Sequence, residues 1–137
     1  MAYERALVRL DSSNRSFWTG GEVGELRILQ CQDCEEFVHP PRPVCRHCLS
    51  ENVTPKVATG TGEVYSFSVN YQKWHPDMTV PFVVARIALD GVPGVLLTSN
   101  VIGCDPESVE IGDRVTVVFE QREDIWYPLF QLEAASQ

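Results

Sequence analysis

Cys31-Gln32-Asp33-Cys34 and Cys45-Arg46-His47-Cys48 are the stretches on which the fold of this chain turns. Two Cys-x-x-Cys turns, their first cysteines fourteen positions apart, can bring four thiolates to one point. Four thiolates close a tetrahedral shell around one zinc ion. Such a shell has no open position, so the spacing predicts a structural metal at Cys31, Cys34, Cys45 and Cys48 and no chemistry at it. The same sulfurs suit iron, and a redox dithiol or free thiols are the rival readings. Neither pair has the helix start that a redox dithiol needs beside it. His39, between the pairs, and His47, inside the second, read as loop residues because four sulfurs already fill the shell.

Outward from the cysteines, Glu25 to Gln30 reads as a strand leading into the first knuckle. Pro40, Pro41 and Pro43 exclude helix between the knuckles and favour a stiff extended return. Strand, knuckle, return and knuckle is the organisation of a rubredoxin-like zinc ribbon, too poor in apolar residues to fold without its metal. Upstream, Asp11 to Gly21 predicts a short helix, capped by Asp11, Ser12 or Ser13 and stopped by Gly20-Gly21. Phe17 and Trp18 are its only large apolar side chains, and one or two turns must pack on something.

After Cys48 the pattern changes to a period of two. Glu63 to Tyr71 predicts a strand with Tyr65, Phe67, Val69 and Tyr71 on one face. Phe82 to Leu89 is apolar almost throughout and predicts a strand buried on both faces. Asp90-Gly91 signals a hairpin, followed by a strand from Val92 to Asn100. Arg114 to Gln121 and Asp124 to Glu133 complete five, the last with Pro128 suggesting an edge or bulge. Five short strands with turns between them fit a small barrel, an OB-fold ahead of an SH3-like one. The chain is thus read as mainly β: an N-terminal helical segment over 1–24, a zinc ribbon over 25–59 and a five-stranded OB-fold barrel over 60–137. Val53-Thr54-Pro55-Lys56-Val57 reads as the linker.

The 137 residues are 44% hydrophobic, enough for a packed core. Met1 to Arg5 lacks a signal-peptide start and no apolar run reaches membrane-helix length, so a cytoplasmic, membrane-free protein is expected. A reducing compartment favours metal over disulfides. The formal net charge is -8 and the eleven Lys and Arg look scattered from Arg5 to Arg122. That balance argues against a nucleic-acid partner.

Lys73-Trp74-His75-Pro76-Asp77 is a candidate ligand-binding loop, with a cation and an aromatic plate in Lys73 and Trp74. Its bland alternative is a hairpin loop with Trp74 covering the core. Trp126 and Tyr127 read as barrel residues. Cys104 lacks the base and oxyanion site of a nucleophile and reads as an incidental loop thiol. The acidic residues form no pair suited to acid–base work, so no catalytic residue is assigned.

The order Phe17-Trp18, Cys31-x-x-Cys34, Pro40-Pro41-Arg42, Cys45-x-x-Cys48, then Gly60-Thr61-Gly62-Glu63-Val64-Tyr65-Ser66 resembles the zinc-ribbon plus OB-fold proteins associated with acyl-CoA metabolism, a family long catalogued as a domain of unknown function. The resemblance runs from about Asp11 to Leu132. Where the family often has Gly after the second cysteine and Pro inside the second knuckle, this chain has Glu35 and Arg46. The resemblance implies a non-catalytic zinc-binding partner of a thiolase or thiolase-like aldolase, in steroid side-chain or other acyl-CoA degradation. A hot-dog-fold enoyl-CoA hydratase is a further implied partner, with this chain as a separate subunit or part of a hydratase fusion. The expected partner contacts are Phe17, Trp18 and Arg42. The alternatives are a single-stranded nucleic-acid module and a direct CoA-binding OB-fold, with Lys73 or Arg42 near a phosphate.

Overall fold

Strand β1 (Leu26–Cys31) serves two cores at once. Alternate residues of a strand point to opposite faces. Leu26 and Ile28 enter the main hydrophobic core, while Leu29 and Cys31, one step out of phase, enter a second cluster with Val38 and Cys45. The computed structural model that shows this describes residues 5–133. The first and last four residues, the outer ends of the expected N-terminal segment and barrel, lie outside the described residues.

β1 is the centre of a three-stranded antiparallel sheet, flanked by β2 (Phe37–Val38) and β3 (Val53–Ala58). Residues 53–57, expected as a linker, are therefore a strand, paired with β1 from Cys31↔Val53 to Leu26↔Ala58. Pro55 disguises it. β3 is an edge strand, and an edge position tolerates the missing N–H.

The barrel contains β4 (Thr61–Asn70), β5 (Phe82–Leu89), β6 (Leu96–Ile102), β7 (Arg114–Arg122) and β8 (Ile125–Leu132). It closes in the order β4-β5-β6-β8-β7, with β7 returning to β4 and β6 lying parallel to β8. That is the Greek-key order of the OB-fold. Phe130, Ile87, Val64, Val83 and Val115 fill its centre, each at most 1% exposed.

Three strand expectations need correction. β4 does not keep Tyr65, Phe67, Val69 and Tyr71 on one face, because a bulge between Val64 and Ser66 shifts the register. One extra residue reverses the alternation. Val64 is buried and Tyr65 is 60% exposed, whereas Phe67 and Val69 pack against the core. β5 has the expected bounds but is buried on one face only: Val83, Ala85, Ile87 and Leu89 point in, and Arg86 is exposed on the other side. β6 starts at Leu96, because Val92 to Val95 is still turn. Pro128 sits inside β8 opposite Phe119 of β7, and the short β6–β8 pairing begins only at Phe130.

The helix α1 (Arg15–Thr19) runs into a 3-10 turn over Gly20–Val23. Asn14 occupies the cap position without a side-chain cap bond. Asp11 instead braces the preceding turn, accepting hydrogen bonds from the Ser13 and Asn14 amides, both at 2.8 Å. Gly20 caps the α-helix as expected but does not end the helical segment. Gly24 does, at φ +75°. Gly21 is there for closeness: a Cβ would lie 2.6 Å from the Phe119 ring and 2.7 Å from Trp126. Residues Val8 and Leu10 lie against Trp18, Ile125, Tyr127 and Leu129, lining the outside of the β7–β8 hairpin.

Candidate metal centre and inter-lobe cleft

The two knuckles are the same turn made twice. In the first, the Glu35 amide donates to the Cys31 carbonyl (2.9 Å) and the Cys31 amide to the Glu36 carbonyl (2.9 Å). In the second, Leu49 donates to Cys45 and Cys45 to Ser50, both at 2.8 Å. The residue after each second cysteine is left-handed, Glu35 at φ 67° and Leu49 at φ 65°. This is the conformation glycine favours. Glu35 and Leu49 thus carry backbone strain that a glycine would relieve. The knuckles are joined by a hydrogen bond between Ser50 and Asp33 and by the Gln32 amide donating to the Asn52 carbonyl (2.8 Å).

All four Sγ atoms lie within 4.8 Å of one another. The Cys31–Cys48 and Cys34–Cys45 sulfur pairs are each 3.6 Å apart. A tetrahedral zinc with Zn–S bonds of about 2.3 Å requires sulfurs about 3.8 Å apart, so the donor set fits in number, type and spacing. Cys31 and Cys45 have no exposed surface. The Cys34 amide holds the Cys31 thiol down to about 7. The Glu36 amide likewise favours a Cys34 thiolate, but burial and the adjacent sulfurs push Cys34 up to about 12. Sulfurs this close resist sharing negative charge, and a bound dication reverses that logic. The His47 amide donates to Cys45 Sγ (3.4 Å) while its ring faces Glu36 at 3.8 Å, away from the shell.

His39 lies in a loop and outside the sulfur shell, as expected from the sequence, but it is partly buried. Its ring packs 5.1 Å from that of Phe17, and its Nδ1 is buried with no hydrogen-bond partner among the described residues. Burial holds its pKa down to about 4, so the ring is neutral. His39 lines a cleft of about 760 Å³ between the ribbon, α1 and the outer face of β5 and β6.

The expected contact residues end up in different places. Phe17 is 4% exposed and built into the chain's own core, and it also lines the cleft. Trp18 is half-buried between Phe17 and Tyr127, at ring distances of 4.8 and 5.8 Å, and reaches the cleft. Arg42 is exposed, on a shallower groove shared with Arg15 and Arg27. Lys73 and Trp74 project from the β4–β5 loop. Trp74 is 69% exposed with its indole N–H on Asn70 (3.2 Å), so it does not cover the core. Neither residue lines the cleft. Cys104 is half-buried against the core. The arginines also prove less scattered than they look: Arg5, Arg46 and Arg86 all face the cleft. Only the fold brings together residues so far apart, and no local signal marks them.

No described helix is long and apolar enough to cross a membrane. Two family models match: the ChsH2 rubredoxin-like zinc ribbon domain over residues 18–54 and the ChsH2 C-terminal OB-fold domain over residues 56–120. A probable enoyl-CoA hydratase alpha subunit of Thermomonospora curvata is 34% identical over 86% of this chain. The 3-oxo-4,17-pregnadiene-20-carboxyl-CoA hydratase alpha subunit of Mycobacterium tuberculosis is 35% identical over 83%. The chain spans only 37% and 36% of those two relatives. A DUF35 domain-containing scaffold protein of Methanothermobacter thermautotrophicus is 33% identical, with 67% of this chain matching 69% of that one. Among solved structures, a chain of an Ltp2-ChsH2(DUF35) aldolase superposes with a TM-score of 0.80 at 31% identity, covering 92% of this chain and 98% of that one.

Proposed function

Because this chain belongs to the DUF35/ChsH2 family of zinc-ribbon and OB-fold proteins, we propose that it is a non-catalytic docking subunit of a thiolase-like aldolase acting on a CoA thioester. The observation that carries the reading is the likeness, over 92% of the chain, to the DUF35-type chain of an aldolase complex. Relatives named scaffold proteins support the non-catalytic part. Relatives named hydratase alpha subunits support an enoyl-CoA hydratase as a further partner, and one is named for a steroid CoA thioester. We infer a steroid side chain as the acyl group on that basis.

In this reading Cys31, Cys34, Cys45 and Cys48 hold one zinc ion. Zinc supplies a cross-link between the knuckles and no catalytic position, because all four ligands are protein sulfurs. The ribbon, the cleft-facing side of Trp18 and Arg42 are the surfaces offered to the partner.

Co-expression with a thiolase-like subunit from the same source, followed by size-exclusion chromatography and metal analysis, tests this. A stable complex with one zinc per copy of this chain is expected. Two proteins eluting separately at micromolar concentration would remove the docking role.

A further inference from the structure

In a chain with net charge -8, the cleft between ribbon and barrel has three arginines and no Asp or Glu among its lining residues. Arg5 is partly engaged, donating to Asn100 Oδ1 (2.7 Å) and lying 3.3 Å from Glu120. Arg46 from the second knuckle and Arg86 from the outer face of β5 are exposed, and neither guanidinium has an ion pair or hydrogen bond among the described residues. Two unpaired guanidiniums facing one cleft with no acid beside them call for a carboxylate or another anion.

The floor of the cleft adds an independent requirement. Every residue from Gly94 to Asn100 lines it. β6 pairs with β5 from Leu96 to Val101, but with β8 only at Val101 and Ile102. Leu96 to Asn100 therefore has a ladder on one side and no backbone ladder on the other, where the Ser99 hydroxyl donates to the Pro128 carbonyl of β8 (2.7 Å). An open strand edge is a template for an added strand, with main-chain hydrogen bonds giving affinity and side-chain contacts giving specificity. Five residues of edge span about 17 Å at about 3.4 Å per residue, which suits an extended peptide better than a compact anion. Leu97, Val95 and Leu129 supply apolar walls, and Trp18 closes one side.

We propose that this cleft receives an extended acidic segment of the partner protein, added as a strand along the open edge of β6 with its carboxylates on Arg46 and Arg86. The partner's ownership of the segment rests on the docking reading above. The cleft's preference for an acidic peptide does not.

The test uses the full zinc-loaded chain and no partner. Phage-displayed random dodecapeptides are selected on the immobilised protein, and the best is titrated into isotope-labelled chain. We expect an acidic consensus and shifts confined to residues 94–100, Arg46, Arg86 and the Trp18 indole. Arg46→Ala and Arg86→Ala should each weaken binding about tenfold or more, the scale of a lost charge-assisted hydrogen bond. Arg9→Ala, outside the cleft, should change nothing. Arg46 and Arg86 are exposed, and unchanged thermal unfolding would show that their variants fold. Three results would overturn the proposal: selected peptides without acidic residues, binding indifferent to both substitutions, or phosphate and ADP shifting these amides when no peptide does. Because no thiolase-like protein is present, failure here leaves the docking role standing, and failed co-purification would leave this result intact.

Discussion

Apart from its cysteines, the ribbon's own core fully buries only Leu29 and Val38. The barrel closes over Val64, Val83, Ile87, Val115 and Phe130 among others, with Leu26 and Ile28 of β1 and Phe17 of α1 joining the same cluster. The ribbon therefore relies on four sulfurs where the barrel relies on apolar burial. β1 joins the two, with one face in each core. Each kind of damage should therefore stop at a different boundary. Loss of the metal should release the knuckles back to β1, and loss of a barrel side chain should lower the stability of both without emptying the metal site.

The largest effect should come from Cys31→Ser. Structural zinc sites contribute on the order of 10 kcal/mol to folding, so loss of one ligand should abolish metal binding and ribbon structure. Hydrogen exchange should show residues 31–54 unprotected while β4 to β8 keep their protection. Equal loss across the chain would mean that the two cores are one. Solubility and co-purification with the partner should fall together with the metal.

Phe130→Ala comes next, removing a side chain with no exposed surface. Such a truncation costs about 3–5 kcal/mol. Urea unfolding should show that loss with zinc content unchanged. Gly21→Ala addresses the join between α1 and the barrel. Its Cβ must displace the Phe119 ring or Trp126, at a cost of about 1–3 kcal/mol. Trp fluorescence should report the shift at Trp18 and Trp126.

The smallest change has the opposite sign. Glu35→Gly relieves a left-handed φ and should stabilise the ribbon by about 1 kcal/mol. Leu49→Gly should do the same in the second knuckle. A rise in the temperature of zinc release without a rise in barrel unfolding would sharpen the separation of the two regions.

Local pattern carried much of this architecture. The cysteine spacing gives the knuckles, and the apolar run at Phe82–Leu89 gives β5 to the residue. β3 stays hidden because it is an exposed edge strand with a proline, so neither apolar alternation nor propensity marks it. The face of Tyr65 is misleading because a bulge leaves no sign in a period-two pattern. His39 and the three cleft arginines lie beyond local reading altogether. Their roles depend on β5 and β6 lying beneath the ribbon, a contact between segments far apart in sequence. Phe17 shows the same limit from the other side. Its helix is legible, but that it packs inward is not.

This chain is expected to support a partner's reaction without performing one, and that expectation can be checked by turnover. The measurement is cleavage of a CoA-thioester aldol substrate in three mixtures: the chain alone, the thiolase-like subunit alone, and both. The account predicts no cleavage by the chain alone and full cleavage only when both are present. Cleavage or hydration of the thioester by the isolated zinc-loaded chain would contradict it.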